Sequence, residues 1–164
     1  MKRFLADIQT HEIPLYQITD TYLQACAVRE TRRDIDLSAL QAYLDKACYI
    51  EILLDLGKCI FDNQSITSNE TLLTDGNWIW SGDLNHYSLL HHFAWPEAFI
   101  TSVQKRSYKP KRITGRQKNE IAHLANEISR KVYGEQFTTV YPNGKDETVY
   151  AERTYVVTAL DTLI

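Results

Sequence analysis

Few residues in this chain staple, kink or loosen a backbone: its 164 residues include three cysteines, four prolines, six glycines and one methionine. The cysteines, Cys26, Cys48 and Cys59, are odd in number and lack C-x-x-C spacing, so neither a disulfide framework nor a cysteine zinc site is indicated. Cys48 and Cys59 can face each other across a hairpin. Buried free thiols are the expected state, because all three lie in apolar patterns where thiols are usually inert. No stretch approaches the roughly 18 apolar residues of a membrane span, and Asp7, His11 and Glu12 fall where a signal peptide needs an apolar run, so a cytoplasmic protein is expected.

Recognisable catalytic spacing is also absent. The chain has no G-x-S-x-G elbow, no G-x-x-x-x-G-K-[ST] phosphate loop and no G-x-G-x-x-G fingerprint. The five histidines, His11, His86, His91, His92 and His123, form no H-E-x-x-H. On one helix His86 and His91, five apart, point to different sides, so surface or partly buried histidines are expected rather than metal ligands. A cysteine nucleophile paired with a distant histidine is the one enzymatic arrangement left open. No cofactor, no metal and no catalytic residue is expected.

What the chain does have is an ordinary globular composition, 44% hydrophobic and 24% charged, and a length suited to a single domain over residues 1–164. Its net charge of -3 is unevenly spread. Residues 1–104 hold 7 basic and 14 acidic residues, 105–118 hold 7 basic and no acidic ones, and 119–164 hold 4 and 7. An acidic body is thus crossed by one basic segment, KRSYKPKRITGRQK. Its cations, with Tyr108 among them, suit phosphate contact and base stacking. A pI near 5.9 instead favours a solvated helix end and linker.

Hydrophobic period marks the elements. ITDTYLQACAVRE at 18–30 fits a helix capped by Thr19 or Asp20, with Tyr22, Leu23, Cys26 and Ala27 on one face. A second helix starts at the cap Asp36 and carries Leu37, Leu40, Tyr43 or Leu44, and Ala47 on one side. CYIEILLDL at 48–56 alternates with the period of two of a half-buried strand; Gly57-Lys58 then fits a turn that returns Cys59, Ile60 and Phe61 as a partner strand. Residues 62–70 read as a polar loop. Leu72-Leu73, the turn signal Asp75-Gly76 and NWIW make a second hairpin, with Trp78 and Trp80 on one strand face and Ile79 on the other.

Ser81 or Asp83 can cap a helix through Phe93, and Pro96 suits the first position of the next. Thr114 and Gln117 have capping-box spacing ahead of the stripe Ile121, Leu124, Ala125, Ile128 and Val132. Phe137 to Tyr141, a turn at Pro142-Asn143-Gly144 and TYVVT at 154–158 suggest a final strand pair. The fold class expected is α+β: a small, mainly antiparallel sheet built from hairpins at 48–61 and 71–80 and the C-terminal strands, packed against four or five helices.

The succession LQAYLDKA, YIEILLDLGKCIFD, LLTDGNWIWSGDL and WPEAF, spanning residues 40–99, resembles small bacterial immunity proteins of contact-dependent growth inhibition and other polymorphic toxin systems. Thr74, Asp75, Gly76, Trp78, Trp80, Asp83, Leu84, Pro96 and Phe99 carry most of the likeness. Two positions depart from it: Ser81 stands where a proline follows the second tryptophan, and His86-Tyr87 where the helix has a Tyr-Tyr pair. The resemblance implies a non-enzymatic protein that binds the toxic C-terminal domain of an effector, frequently a nuclease, and blocks its active site or substrate approach. An acidic body is suited to a basic nuclease face. Glu51, Asp55, Asp62, Glu70 and Asp75, expected to be exposed near hairpin edges and loops, are the candidate toxin-binding residues. An adaptor or regulatory domain that binds another protein is the alternative function, and an RNA-associated protein using residues 105–118 a third.

Overall fold

The computed structural model describes residues 3–10, 12–30, 32–134 and 150–156. Its elements in chain order are β1 (Arg3–Asp7), β2 (Glu12–Ile18), α1 (Asp20–Ala27), α2 (Leu37–Leu44), β3 (Cys48–Glu51), β4 (Leu56–Lys58), β5 (Ser65–Thr67), β6 (Leu72–Thr74), β7 (Trp78–Ser81), α3 (Leu84–Leu90), α4 (Glu97–Lys105), α5 (Gly115–Gly134) and β8 (Tyr150–Val156). Six strands form one antiparallel sheet in the order β3-β6-β7-β1-β2-β8, while β4 and β5 pair as a separate hairpin. The fold is therefore α+β, with five helices among the described residues.

Alternation along the strands divides the apolar side chains between two cores. Leu5, Tyr16, Ile18, Leu73, Trp78 and Trp80 face residues of α1, α2, α3 and α4. Phe4, Ala6, Ile13, Leu15, Leu72 and Ile79 face Leu124, Ala125, Ile128 and Val132 of α5. The helices thus sandwich the sheet, and both tryptophans of the β6–β7 hairpin lie on the four-helix side. Trp80 meets Trp95 and Phe99 edge-on at 6.0 and 5.7 Å, and Trp78 meets Phe99 at 5.4 Å. Such edge-to-face contacts align positive ring edges with negative faces.

The local signals are realised where they depend on nearby residues. Thr19 caps α1 by accepting from Tyr22 N at 3.1 Å, and Asp36 caps α2 by accepting from Ala39 N at 2.9 Å. Thr114 and Gln117 complete a reciprocal box: Gln117 N donates to Thr114 Oγ1 at 3.3 Å, and Thr114 N to Gln117 Oε1 at 3.0 Å. The hairpin about Asp75-Gly76 also forms, pairing Leu73 with Trp80; Gly76 adopts φ 89°, which a side chain would strain. Of the strand expected at TYVVT, residues 154–156 lie in β8, antiparallel to β2, and 157 and 158 fall outside the described residues. The expected strand and turn at 137–144 fall outside the described residues.

Several expectations are corrected. The hairpin joining 48–56 to 59–61 does not form: β3 ends at Glu51 and pairs with β6, while Gly57 and Lys58 lie inside β4 opposite Ile66 and Ser65. Alternation identifies an extended segment and leaves its partner undetermined. The loop expected at 62–70 therefore contains β5. Helix α3 stops at Leu90 rather than Phe93, where His92 takes a left-handed φ of 54°. Pro96 occupies the cap before α4, one position earlier than expected.

The centre of the sheet comes from the N-terminal strands β1 and β2, which no polar alternation marks in the sequence. Arg3 opens β1 with 0% exposure. It donates through Nε to Asp83, through Nη1 to Asp20 and, at 3.4 Å, through Nη2 to the Tyr87 hydroxyl. Asp83 holds the cap position of α3 yet makes no side-chain cap bond, because its carboxylate is directed at Arg3. Burial pushes the Asp83 carboxyl up to about 6, opposed by the Arg3 charge. Removing one partner of a buried ion pair leaves the other charge uncompensated, so Asp83→Ala is expected to cost about 3–5 kcal/mol of unfolding free energy, measured by urea denaturation. Because a raised native pKa means that the folded state binds the proton more tightly, wild type should gain stability relative to Asp83→Asn as pH falls from 7 to 4; unchanged differences in melting temperature across that range would contradict the assignment.

Candidate functional site

Beyond Glu51 the chain leaves the sheet edge. Thr71 holds it there: Leu53 N donates to Thr71 Oγ1 at 3.2 Å, and that hydroxyl donates to Leu53 O at 3.5 Å. The even-numbered side chains that alternation would bury instead turn outward, leaving Ile52 63%, Leu54 95% and Leu56 68% exposed. Tyr49 on the edge strand is also exposed. Consecutive exposed aliphatics are costly to leave in water.

The candidate acids divide around this run. Glu51 is half-buried at the end of β3, and Asp55 is exposed within the apolar stretch. Asp62 and Glu70 are exposed in the turn between β4 and β5 and in the connection to β6. Asp75 is not a surface charge: it is 1% exposed. Its Oδ1 accepts from Asn77 N and Trp78 N at 2.8 and 2.7 Å, while Oδ2 accepts from the Tyr43 hydroxyl and, at 2.7 Å, from Arg106 Nη2. A turn-forming Asp bonds its own backbone, and here that local habit turns the carboxylate inward. Burial, with the Asp75 charge, pushes the Tyr43 phenol well above its ordinary range.

This network also absorbs part of the basic segment. Arg106 pairs with Asp75 and lies over the Tyr43 ring, 5.5 Å from its centroid. Tyr108 is half-buried, its hydroxyl accepting from Asp36 N at 3.4 Å, rather than standing free to stack on a base. Arg116 pairs with Glu120 at 2.9 Å. Lys105, Lys109, Lys111, Arg112 and Lys118 are exposed. Lys111 and Lys118 share with Lys46, Tyr49 and Ile52 an open groove of about 580 Å³ beside β3. A second cavity of about 220 Å³ lies between the end of α1, α2 and the end of α3, among Arg32, Leu37, Leu40, Leu89 and Trp95.

The termination of α3 produces a further cluster. His91 follows the last helical residue, so the five-residue separation from His86 no longer obeys helical rotation, and the two ring centroids come to 5.4 Å. The loop after β4 brings Cys59 to them, with Sγ 3.5 Å from His91 Nε2. One ligand atom from each of Cys59, His86 and His91 lies within 4.8 Å of the others. The Phe61 ring stacks on His91 at 4.2 Å and 25°. Burial, together with the neighbouring His86, holds the His91 imidazole below its ordinary value, and the Gln64 backbone N–H, with the Cys59 thiol, does the same for Asp62. The expectation that His86 and His91 diverge is thus overturned by the helix end; the sequence signal for that end was the stretch that follows, with Phe93, Trp95 and Pro96.

No known protein family, curated protein or solved structure matches the chain. Among the described residues, no helix is long and apolar enough to cross a membrane.

Because Asp75 binds two turn N–H groups, a phenol and a guanidinium, Asp75→Ala is expected to lower stability by about 3 kcal/mol or more. Chemical denaturation measures that loss; a variant within about 0.5 kcal/mol of wild type would contradict the buried role.

Proposed function

We propose that the protein is a toxin-neutralising immunity protein that binds a toxin domain through the exposed 49–56 face and its acidic surroundings. One observation carries the protein-binding part of this reading: Ile52, Leu54 and Leu56 stand in water on a segment pinned to the sheet by Thr71. A fixed apolar patch loses little conformational freedom on docking, so more of its burial appears as affinity. Glu51, Asp55, Asp62 and Glu70 lie on or near the same part of the chain and suit a partner with a basic face, such as a nuclease whose substrate is a polyanion. The toxin-specific part rests on the resemblance carried by residues 40–99.

The residues that carry most of that resemblance do not supply the docking surface. Trp78, Trp80, Asp75 and Asp83 are all buried, so they support a shared scaffold while the partner is selected by side chains around it. An adaptor domain for another protein would use the same apolar face; it is distinguished by its partner and by the absence of a neighbouring toxin gene.

Co-expression with the toxin domain encoded beside this chain is expected to restore growth of a susceptible bacterium, through a complex burying roughly 1,200–2,000 Å². Leu54→Asp combined with Leu56→Asp should weaken that complex more than ten-fold, about 1.4 kcal/mol, with an unchanged circular-dichroism spectrum. Toxicity undiminished by the wild-type chain would falsify the immunity reading. Full affinity in the double variant would remove the proposed face.

A further inference from the structure

We propose that Cys59, His86 and His91 bind one divalent transition-metal ion of the zinc class, which ties the β4–β5 hairpin to α3. The separation of the donors is the first support. A tetrahedral zinc ion with metal–sulfur and metal–nitrogen bonds of about 2.3 and 2.0–2.1 Å places those ligands roughly 3.5 Å apart. Cys59 Sγ and His91 Nε2 are separated by 3.5 Å, and all three donor atoms fit within 4.8 Å.

An independent support is the state of His86. Its Nε2 is buried without a hydrogen-bond partner among the described residues, an arrangement that costs free energy unless some group completes it. A cation supplies that missing partner, whereas a simple Cys59–His91 contact leaves His86 unsatisfied. One sulfur and two imidazole donors favour zinc or cobalt over magnesium or calcium, which select oxygen ligands. Three protein donors leave the fourth tetrahedral position for water.

The surroundings hold the donors before a metal arrives. Cys59 N donates to Gln64 O at 2.9 Å and Asn63 N to Cys59 O at 3.0 Å, closing the loop that carries the thiol. Gln64 N donates to Asp62 Oδ1 at 3.0 Å, setting a carboxylate beside Cys59 and near both histidines. The next residue, Ile60, donates its N–H to the Tyr87 hydroxyl at 3.2 Å, fastening this loop to α3. Metal binding replaces the Cys59 S–H with a metal–thiolate bond and releases that proton to solvent, leaving Asp62 as a negative group next to the cation. Affinity therefore falls as pH is lowered.

The energetic consequence is local. A two-stranded hairpin is marginal by itself, and β4–β5 belongs to no larger sheet. Bonds from Cys59 to a metal also held by α3 constrain the chain immediately after the exposed 52–56 run. The inference does not depend on what that run binds.

Titration of reduced, chelator-treated full-length protein with Co²⁺ tests the site. Binding of one ion is expected, with a sulfur-to-cobalt charge-transfer band and the visible absorption of a tetrahedral centre, both bleached by Zn²⁺. Cys59→Ser should abolish the charge-transfer band; His86→Asn and His91→Asn should each weaken binding at least ten-fold, while His92→Asn leaves it unchanged. Circular dichroism checks the fold of each variant. A wild-type chain that develops no charge-transfer band at micromolar Co²⁺, or whose band survives Cys59→Ser, overturns the proposal. If the cysteine variant does not fold, the wild-type protein still decides: Zn²⁺ must raise its melting temperature, and no shift overturns the site.

Discussion

The guanidinium of Arg3 has no contact with solvent, and the parts of the fold are arranged around satisfying it. It stands at the start of a central strand and gathers Asp20 from the first turn of α1, Asp83 from the start of α3 and Tyr87 from one turn further on. Its plane also lies near the Tyr87 ring, 5.1 Å from the centroid. A buried cation of this kind is unforgiving: each lost partner leaves charge in a medium that solvates it poorly. The constraint extends outward, since the same Tyr87 hydroxyl receives the N–H of Ile60 beside the Cys59 loop. The position of the cysteine–histidine cluster is thus coupled to the middle of the sheet through one phenol.

A second polar knot plays the corresponding role at the other end of β7. Asp75 folds the β6–β7 turn back on itself, and Tyr43 and Arg106 lock that turn against α2 and the end of α4. Between the two knots, Trp78 and Trp80 fill the space under the helices. The tryptophans and aspartates that give the central sequence its recognisable appearance therefore stabilise the scaffold. Groups available to a partner are those released by the scaffold: the aliphatics beyond β3, the acids on the neighbouring turns and the exposed lysines of the basic segment. Such a division allows surface chemistry to vary while the two knots and the aromatic layer stay in place.

Local features were legible because the interacting atoms are close in sequence. Thr19, Asp36 and the Thr114–Gln117 pair each satisfy N–H groups within a turn, and Asp75-Gly76 returns its strand within a few residues. The stripe from Leu124 to Val132 also follows from helical period alone. β1 and β2 were harder to read: a strand buried on both faces loses its polar alternation, Arg3 looks like a surface charge, and Pro14 usually argues for a sheet edge. The segment at 48–56 shows the same difficulty in another form. Its period is that of a strand, but pairing with β6 ends at Glu51, Leu53 is then held by the Thr71 side chain, and β4 pairs with β5 instead.

Sequence by itself determined the α+β composition, the caps of α1, α2 and α5, the tryptophan hairpin and the amphipathic face of α5, because these depend on side-chain period and on bonds spanning a few residues. Tertiary structure alone decided that Arg3 and Asp75 are interior, that Ile52, Leu54 and Leu56 are exterior, and that Cys59, His86 and His91 converge. Each of those outcomes depends on which distant segment arrives beside the residue and removes or admits water. Charge and hydrophobicity describe what a side chain prefers; the contacts made across the folded chain decide whether that preference is met.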